Sequence, residues 1–381
     1  MILAVVLIFT GGCIVGGIVV ALLFRNSRRV RTIIARHLDK KETTAAAIQL
    51  CLAGGPHFVT VGGGTGLSSL LKGLKGYTRN IVALVTVTDE GGSSGRLVRD
   101  WGMLPPGDIR NCLVALSEND DQLRAFMNFR FDQGDLKGHS LGNLILLAAT
   151  ELSGDFKNAV ELVNGLLAIR GRVLPITTEN VTLVAETNDG ETLRGELAVA
   201  RRGRDIRSIR LEPRGVRPVE EAFEVLGDAD MIILGPGSLF TSVIPNLLVG
   251  AFVTALKNVS CPIVYVCNLM TQPGETSGMT QLDHIKWVAQ ALGRYPDAAV
   301  INQDMIPELL REKYSEQGAV PLLLSREDEA YLAAKKCQVF RASLLHVQEG
   351  GVIRHHSAHL AEALMRVSRQ LESGHEHEDP H

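Results

Sequence analysis

The sequence predicts an α/β protein built on a doubly wound, mainly parallel sheet, and three observations carry that prediction. From Pro56 onward, short β-rich runs alternate with longer helical ones. Those β-rich runs are apolar without polar alternation, as strands covered on both faces are. Glycine-rich polar loops follow them repeatedly, at the carboxyl ends where such sheets bind ligands.

Composition sets the bounds. The 381 residues, 45% hydrophobic, suffice for one large α/β domain or two modest ones, and with 5% aromatic residues the core must be mainly Val, Leu, Ile and Ala. A formal net charge of -3 lacks the basic excess of a general nucleic-acid binder. Six cysteines, at 13, 51, 112, 261, 267 and 337, form no CxxC pair or His/Cys ligand spacing and read as reduced small hydrophobes.

The elements follow in order. Residues 1–24 carry no charged side chain, and 24 residues at about 1.5 Å rise span about 36 Å, enough for a bilayer core of about 30 Å. A single-pass transmembrane helix is expected. Arg25, Arg28, Arg29 and Arg31 follow the run rather than precede it, which argues against a signal peptide and places the remainder in the cytoplasm. Residues 25–55 read as a juxtamembrane connector with helical character from about Val30.

Strands are expected at 57–61, 80–87, 230–235, 262–267 and 298–302, within one Rossmann-like domain spanning 56–370. One stretch departs from this rhythm: two β-type runs flank Asn188-Asp189-Gly190, a hairpin signal, so a small antiparallel insertion is expected at about 176–217. Its seven arginines between 201 and 217 are interleaved with Ile, Leu and Pro, and read as a solvated strand face or subunit contact. Residues 371–381 read as a disordered tail.

The loops carry the chemistry. Gly62, Gly63, Gly64, Thr65 and Gly66 follow the first strand and lead into a helix, an arrangement that offers backbone N–H groups to an anion. It is not a dinucleotide fingerprint: Leu67 replaces the third glycine and no ribose acid follows. The second strand ends in Asp89, Glu90, Gly91, Gly92, Ser93 and Ser94, with Arg96 beyond. Asp108, Arg110 and Asn111 open a helix after Pro-Pro-Gly, and His139, Ser140 and Asn143 open another. The strand expected at 230–235 leads into Gly235, Gly237 and Ser238, followed by Thr241 and Ser242. The strand expected at 262–267 leads into Asn268, Thr271, Gln272 and Glu275. Each has a structural reading as a cap, turn or core residue; together on one rim they describe a crevice for a diphosphate and its flanking polar groups.

The ordered motifs GGGTGLS, DEGGSSGRL, LPPGDIRNCLVAL, GHSLGNL, GPGSLFTSVIPNLL and CNLMTQPGET resemble the YvcK-like gluconeogenesis factor family, a relative of the CofD phospholactate transferases, over roughly 56–367. The family commonly has paired aspartates where this chain has Asp89 and Glu90. The resemblance implies a Rossmann-like fold that binds UDP-sugars, notably UDP-N-acetylglucosamine, and links gluconeogenesis to peptidoglycan and envelope synthesis and cell shape. It implies contacts from Thr65, and from Tyr314 and Arg354, which match shorter motifs; a tyrosine can stack on uracil and an arginine can fork onto a diphosphate. The resulting expectation is a membrane-anchored regulator that requires no cofactor, forms a homodimer and serves a partner enzyme of envelope-precursor synthesis. The alternative is a transferase with Mg²⁺ on Asp89.

Overall fold

A computed structural model of the chain describes residues 40–118, 120–202 and 205–375. The apolar run expected to cross a membrane and the first part of the connector lie outside the described residues, as do 376–381. The chain divides into two compact units at Gly54/Gly55. The first unit contains helix α1 (Lys40–Ala53), which gives the connector the helical character expected of it. Among the described residues no single helix is long and apolar enough to cross a membrane.

The second unit begins with β1 (Phe58–Gly62), α2 (Gly64–Leu74) and β2 (Ile81–Val85). Five helices follow, α3 (Gly92–Trp101), α4 (Gly107–Leu116), α5 (Asp120–Asn128), α6 (Leu141–Ser153) and α7 (Phe156–Leu166), before β3 (Arg172–Pro175). An inserted sheet then holds β4 (Thr182–Thr187), β5 (Thr192–Arg194) and β6 (Ile206–Glu212), with α8 (Glu196–Arg202) between the last two strands. The chain returns through α9 (Glu221–Gly227) and β7 (Met231–Leu234), and a π-helical turn at Leu239–Val243 runs into α10 (Ile244–Leu247) and α11 (Gly250–Lys257). It ends with β8 (Ile263–Val266), α12 (Gln281–Leu292), β9 (Ala298–Asn302), α13 (Glu308–Glu316), α14 (Arg326–Ala334), β10 (Gln338–Ala342), a hairpin of β11 (Leu345–Gln348) and β12 (Val352–His355), and α15 (Ser357–His375).

Seven strands form one sheet in the order β10-β9-β8-β7-β1-β2-β3, every neighbouring pair parallel. With the inserted sheet set aside, this is the doubly wound order expected. The apolar runs are continuous because both faces are covered: Phe58 and Ile81 pack into one core, Val59, Val61 and Leu84 into the other. The first core receives α2 through Leu67, Leu70, Leu71 and Leu74, all fully buried, and the second receives Phe252 and Leu256 of α11 with Ile285 and Val288 of α12. The four leucines alone represent on the order of 8 kcal/mol of transfer free energy, which fixes the start of α2 against the sheet.

The antiparallel insertion is present as β5-β4-β6. Its arginines form an ion-paired strand face: Arg210 reaches Glu186 at 3.2 Å and Glu212 at 2.9 Å, and Arg194 reaches Glu212 at 2.6 Å. Five cysteines, at 51, 112, 261, 267 and 337, are free thiols. The chain end departs from expectation, because α15 continues to His375, into the stretch read as a disordered tail; Leu360, Leu364, Val367 and Leu371 recur at helical spacing and are buried against the first core.

Candidate functional site

The strand order reverses between β1 and β7, so their carboxyl ends open the crevice where doubly wound sheets bind ligands. Val61 lies opposite Leu234 in the ladder, and the Gly235 N–H donates to the Val61 carbonyl at 2.9 Å. The glycine loop and the Gly235–Ser238 loop therefore leave the sheet side by side. Gly66 permits their close approach: a Cβ there would lie 2.6 Å from the Pro236 carbonyl oxygen. Gly64 enters α2 at φ +67°, a left-handed backbone that favours glycine. Asn246 ties the loops from behind, donating to the carbonyls of Gly62 at 3.3 Å and Ser242 at 2.8 Å.

The crevice has a volume of about 330 Å³. Its floor is Gly64, Thr65 and Gly66, in the first turn of a helix whose N-cap, Gly63, supplies no side-chain acceptor. One wall carries Gly237 and Ser238, with Asn268 donating to the Gly237 carbonyl at 2.8 Å. Glu275 braces that wall: its buried carboxylate accepts from Ser238 Oγ and, at 2.8 Å, from the Phe240 N–H. Burial raises the Glu275 carboxyl above the ordinary range, and these hydrogen bonds oppose the rise. The opposite wall holds Tyr314, whose hydroxyl accepts from the Ile353 N–H at 2.9 Å, and the exposed Arg354 on β12. Gln272 completes the rim with a buried Oε1 that has no hydrogen-bond partner, while Thr271 is occupied by the Val320 N–H. None of the described residues lining the crevice is acidic.

Carboxyl groups gather instead behind the glycine loop. Asp89 accepts from the Gly91 N–H at 2.8 Å and shares a hydrogen bond with Glu196, which also accepts from the Glu90 N–H at 3.1 Å. Asp108 accepts from the Gly64 N–H, and burial followed by the nearby Asp89 pushes its carboxyl up to about 7. Glu196 is raised by burial and by Asp89, and Glu90 by burial, so the cluster holds protons that isolated carboxyls would release. No three His, Cys, Asp or Glu side chains converge as a metal-ligand set among the described residues.

Several residues expected to contact ligand form a buried scaffold. Arg110 donates to Ser140 Oγ at 2.5 Å and Asn143 Oδ1 at 3.0 Å, and Asn143 donates to Ser93 Oγ, which lies 3.1 Å from His139 Nδ1. Ser94 is buried beside Gly107, and Gly92 lies exposed at the start of α3, away from the crevice lining. Asn111, held by Arg110, opens onto a second cavity. Two contributors were missed by sequence reasoning. Glu196 comes from the insertion, and no local pattern ties it to Glu90. His355 lines the crevice beside Arg354; burial lowers it to about 4, so it is neutral at physiological pH, and its Nε2–H donates to the Cys267 carbonyl.

Comparison with known proteins gives one consistent picture. A family model described as 2-phospho-L-lactate transferase CofD matches residues 58–345. A putative gluconeogenesis factor of Thermotoga maritima is 43% identical over 315 residues, covering 82% of this chain and 99% of the relative. The gluconeogenesis factor of Bacillus subtilis is 41% identical over 317 residues, covering 83% and 99%. A crystal structure of a upf0052-family protein from Bacillus halodurans superposes with a TM-score of 0.78 at 38% identity, covering 81% of this chain and 99% of that one.

Proposed function

The chain belongs to the CofD-domain gluconeogenesis factor family, and from that premise we propose that it is a UDP-sugar-binding regulator. The observation that carries the reading is the crevice at the strand-order reversal. The start of α2, Arg354, Asn268 and Gln272 line one space, and none of its described lining residues is acidic. A diphosphate meets the helix start and the guanidinium, the polar edge of a sugar or base meets the Asn268 and Gln272 side chains, and Tyr314 supplies an aromatic face. UDP-N-acetylglucosamine is the proposed ligand. In this reading the occupied state reports nucleotide-sugar supply from central carbon metabolism to envelope synthesis and cell shape. The apolar 1–24 run anchors the cytoplasmic domain near the membrane steps of that pathway, through a partner enzyme of envelope-precursor synthesis.

The test is calorimetric titration of the full-length chain with UDP-N-acetylglucosamine. Wild type should bind, and Thr65→Glu should weaken binding at least about a hundredfold, because a carboxylate in the first turn of α2 repels the diphosphate (about 2.7 kcal/mol). Equal affinities in the two proteins refute the placement; no binding by wild type refutes the ligand class.

A transferase reading has one observation in its favour, the carboxyl cluster directly behind the phosphate-binding turn. In that reading Asp89 would hold an Mg²⁺ ion, which would neutralise charge on the substrate's phosphates. Product formation from a UDP-sugar by wild type, lost in Asp89→Asn, would establish it.

A further inference from the structure

A second cavity, of about 290 Å³, adjoins the crevice. Thr65 and His355 line both, and Thr65 is exposed, so the first turn of α2 borders two open spaces. A nucleotide sugar carries a nucleoside at one end of its diphosphate and a sugar at the other. Held at that turn, the diphosphate directs its two substituents apart. The crevice offers the Tyr314 ring to a base. The second cavity has no Phe, Tyr or Trp among its described lining residues, and its two cations, Lys72 and Arg124, already have partners within the chain. What remains is mainly neutral: the side chains of Ser69, Asn111, Asn128 and Gln348, with Val114 and Ala115 as an apolar patch. Asn111 accepts from Arg110 through Oδ1 at 2.8 Å, and its Nδ2 has no partner among the described residues. Hydroxyls and carboxamides around a small apolar patch suit the polar edge and apolar face of a hexose ring.

His355 stands where the two spaces meet. The Cys267 carbonyl, 3.1 Å from Nε2, can only accept, so the proton of the neutral ring sits on Nε2 and Nδ1 is left as an acceptor. No described residue donates to that Nδ1, and it is not sealed from solvent as both ring nitrogens of His284 are.

We propose that the second cavity holds the sugar of a nucleotide sugar whose diphosphate sits at the first turn of α2, and that His355 Nδ1 accepts a hydrogen bond from that sugar. The inference rests on the crevice reading and orients its ligand, with the base toward Tyr314 and the sugar past Thr65 toward Ser69 and Asn111.

Calorimetry of the full-length chain with UDP-N-acetylglucosamine and with UDP tests it. Ser69 lines the second cavity but not the crevice, so Ser69→Leu fills the sugar site alone. That variant should weaken UDP-N-acetylglucosamine at least about tenfold (about 1.4 kcal/mol) and leave UDP within about threefold, at an unchanged melting temperature. His355→Gln keeps an amide donor for the Cys267 carbonyl but no acceptor in the place of Nδ1, and should weaken UDP-N-acetylglucosamine about as much. His355→Asn, whose Oδ1 stands where Nδ1 does, should stay within about threefold of wild type. UDP-N-acetylglucosamine binding that survives Ser69→Leu, a loss shared equally by UDP, or equal losses in the two His355 variants overturns the proposal. Wild type binding UDP but not UDP-N-acetylglucosamine overturns it while leaving the crevice a nucleotide site. If neither binds, the crevice reading fails and this inference falls with it.

Discussion

Asp108→Asn should stabilise the protein, and increasingly so as pH rises. The Asp108 carboxyl is raised from 3.8 to about 7 by burial and by Asp89, so the folded state holds its proton more tightly than the unfolded chain. The stability this contributes is complete below the unfolded value and is lost progressively as pH climbs toward the folded one. A shift of about 3 units at about 1.4 kcal/mol per unit gives an upper bound of about 4 kcal/mol, of which about 3 kcal/mol falls between about pH 5 and pH 7. Asparagine keeps an acceptor for the Gly64 N–H, never ionises, and can donate toward the neighbouring carboxylates. With about 2.1 cal/mol/K per residue of unfolding entropy over about 320 residues, 3 kcal/mol corresponds to about 4 °C. Scanning calorimetry of both proteins at pH 5 and pH 8, in EDTA so that no divalent ion meets the carboxyl cluster, should show the advantage of the variant growing by about that amount. A gain independent of pH, or a variant less stable at pH 8, would refute the account of Asp108 as a desolvated acid.

Two further substitutions probe the crevice walls. Gly66→Ala places a Cβ 2.6 Å from the Pro236 carbonyl oxygen, so the two loops must part; UDP-N-acetylglucosamine affinity should fall at least about tenfold and the melting temperature by a few degrees (about 1–3 kcal/mol for overpacking), both readable by calorimetry. Glu275→Gln retains the shape but replaces a charged acceptor shared by Ser238 and the Phe240 N–H, and denaturant unfolding should show a loss of about 1–3 kcal/mol, while Glu275→Leu, which leaves both donors unsatisfied, should cost more.

What the sequence made legible is local. The glycine loop, the hairpin of the insertion and the five inner strands announce themselves within a dozen residues, through missing Cβ atoms, turn chemistry or an uninterrupted apolar run. The two strands of the large sheet that escaped notice, β3 and β10, are its edges, and the β11-β12 hairpin escaped with them. Arg172, Gln338 and Arg341 interrupt their apolar pattern because an edge strand meets solvent, and a strand of four or five residues with such interruptions looks like a loop. The end of α15 was misread for a different reason: Ser373, Gly374 and His375 are polar, but the buried Leu360, Leu364, Val367 and Leu371 that precede them carry the helix onward.

The candidate site was legible as a set of loops but not as a division of labour among them, and the physical reason lies in sequence separation. Arg110, Asn143 and Ser93 have the residue types of ligand contacts, yet they satisfy one another across 33 and 50 residues. The Arg110 guanidinium is buried and spends its two terminal nitrogens on Ser140, Asn143 and Asn111, while its Nε has no hydrogen-bond partner. Conversely, Glu275 holds Ser238 from 37 residues away and Glu196 reaches Glu90 across 106. Both act through another residue, so neither carries a motif of its own. The groups that line the crevice with capacity left over are the first turn of α2 and the exposed Arg354. Hydrogen-bond accounting in the folded chain thus separates side chains engaged with one another from those that keep capacity, which residue type alone could not do, and the proposed diphosphate contacts are drawn from the second group.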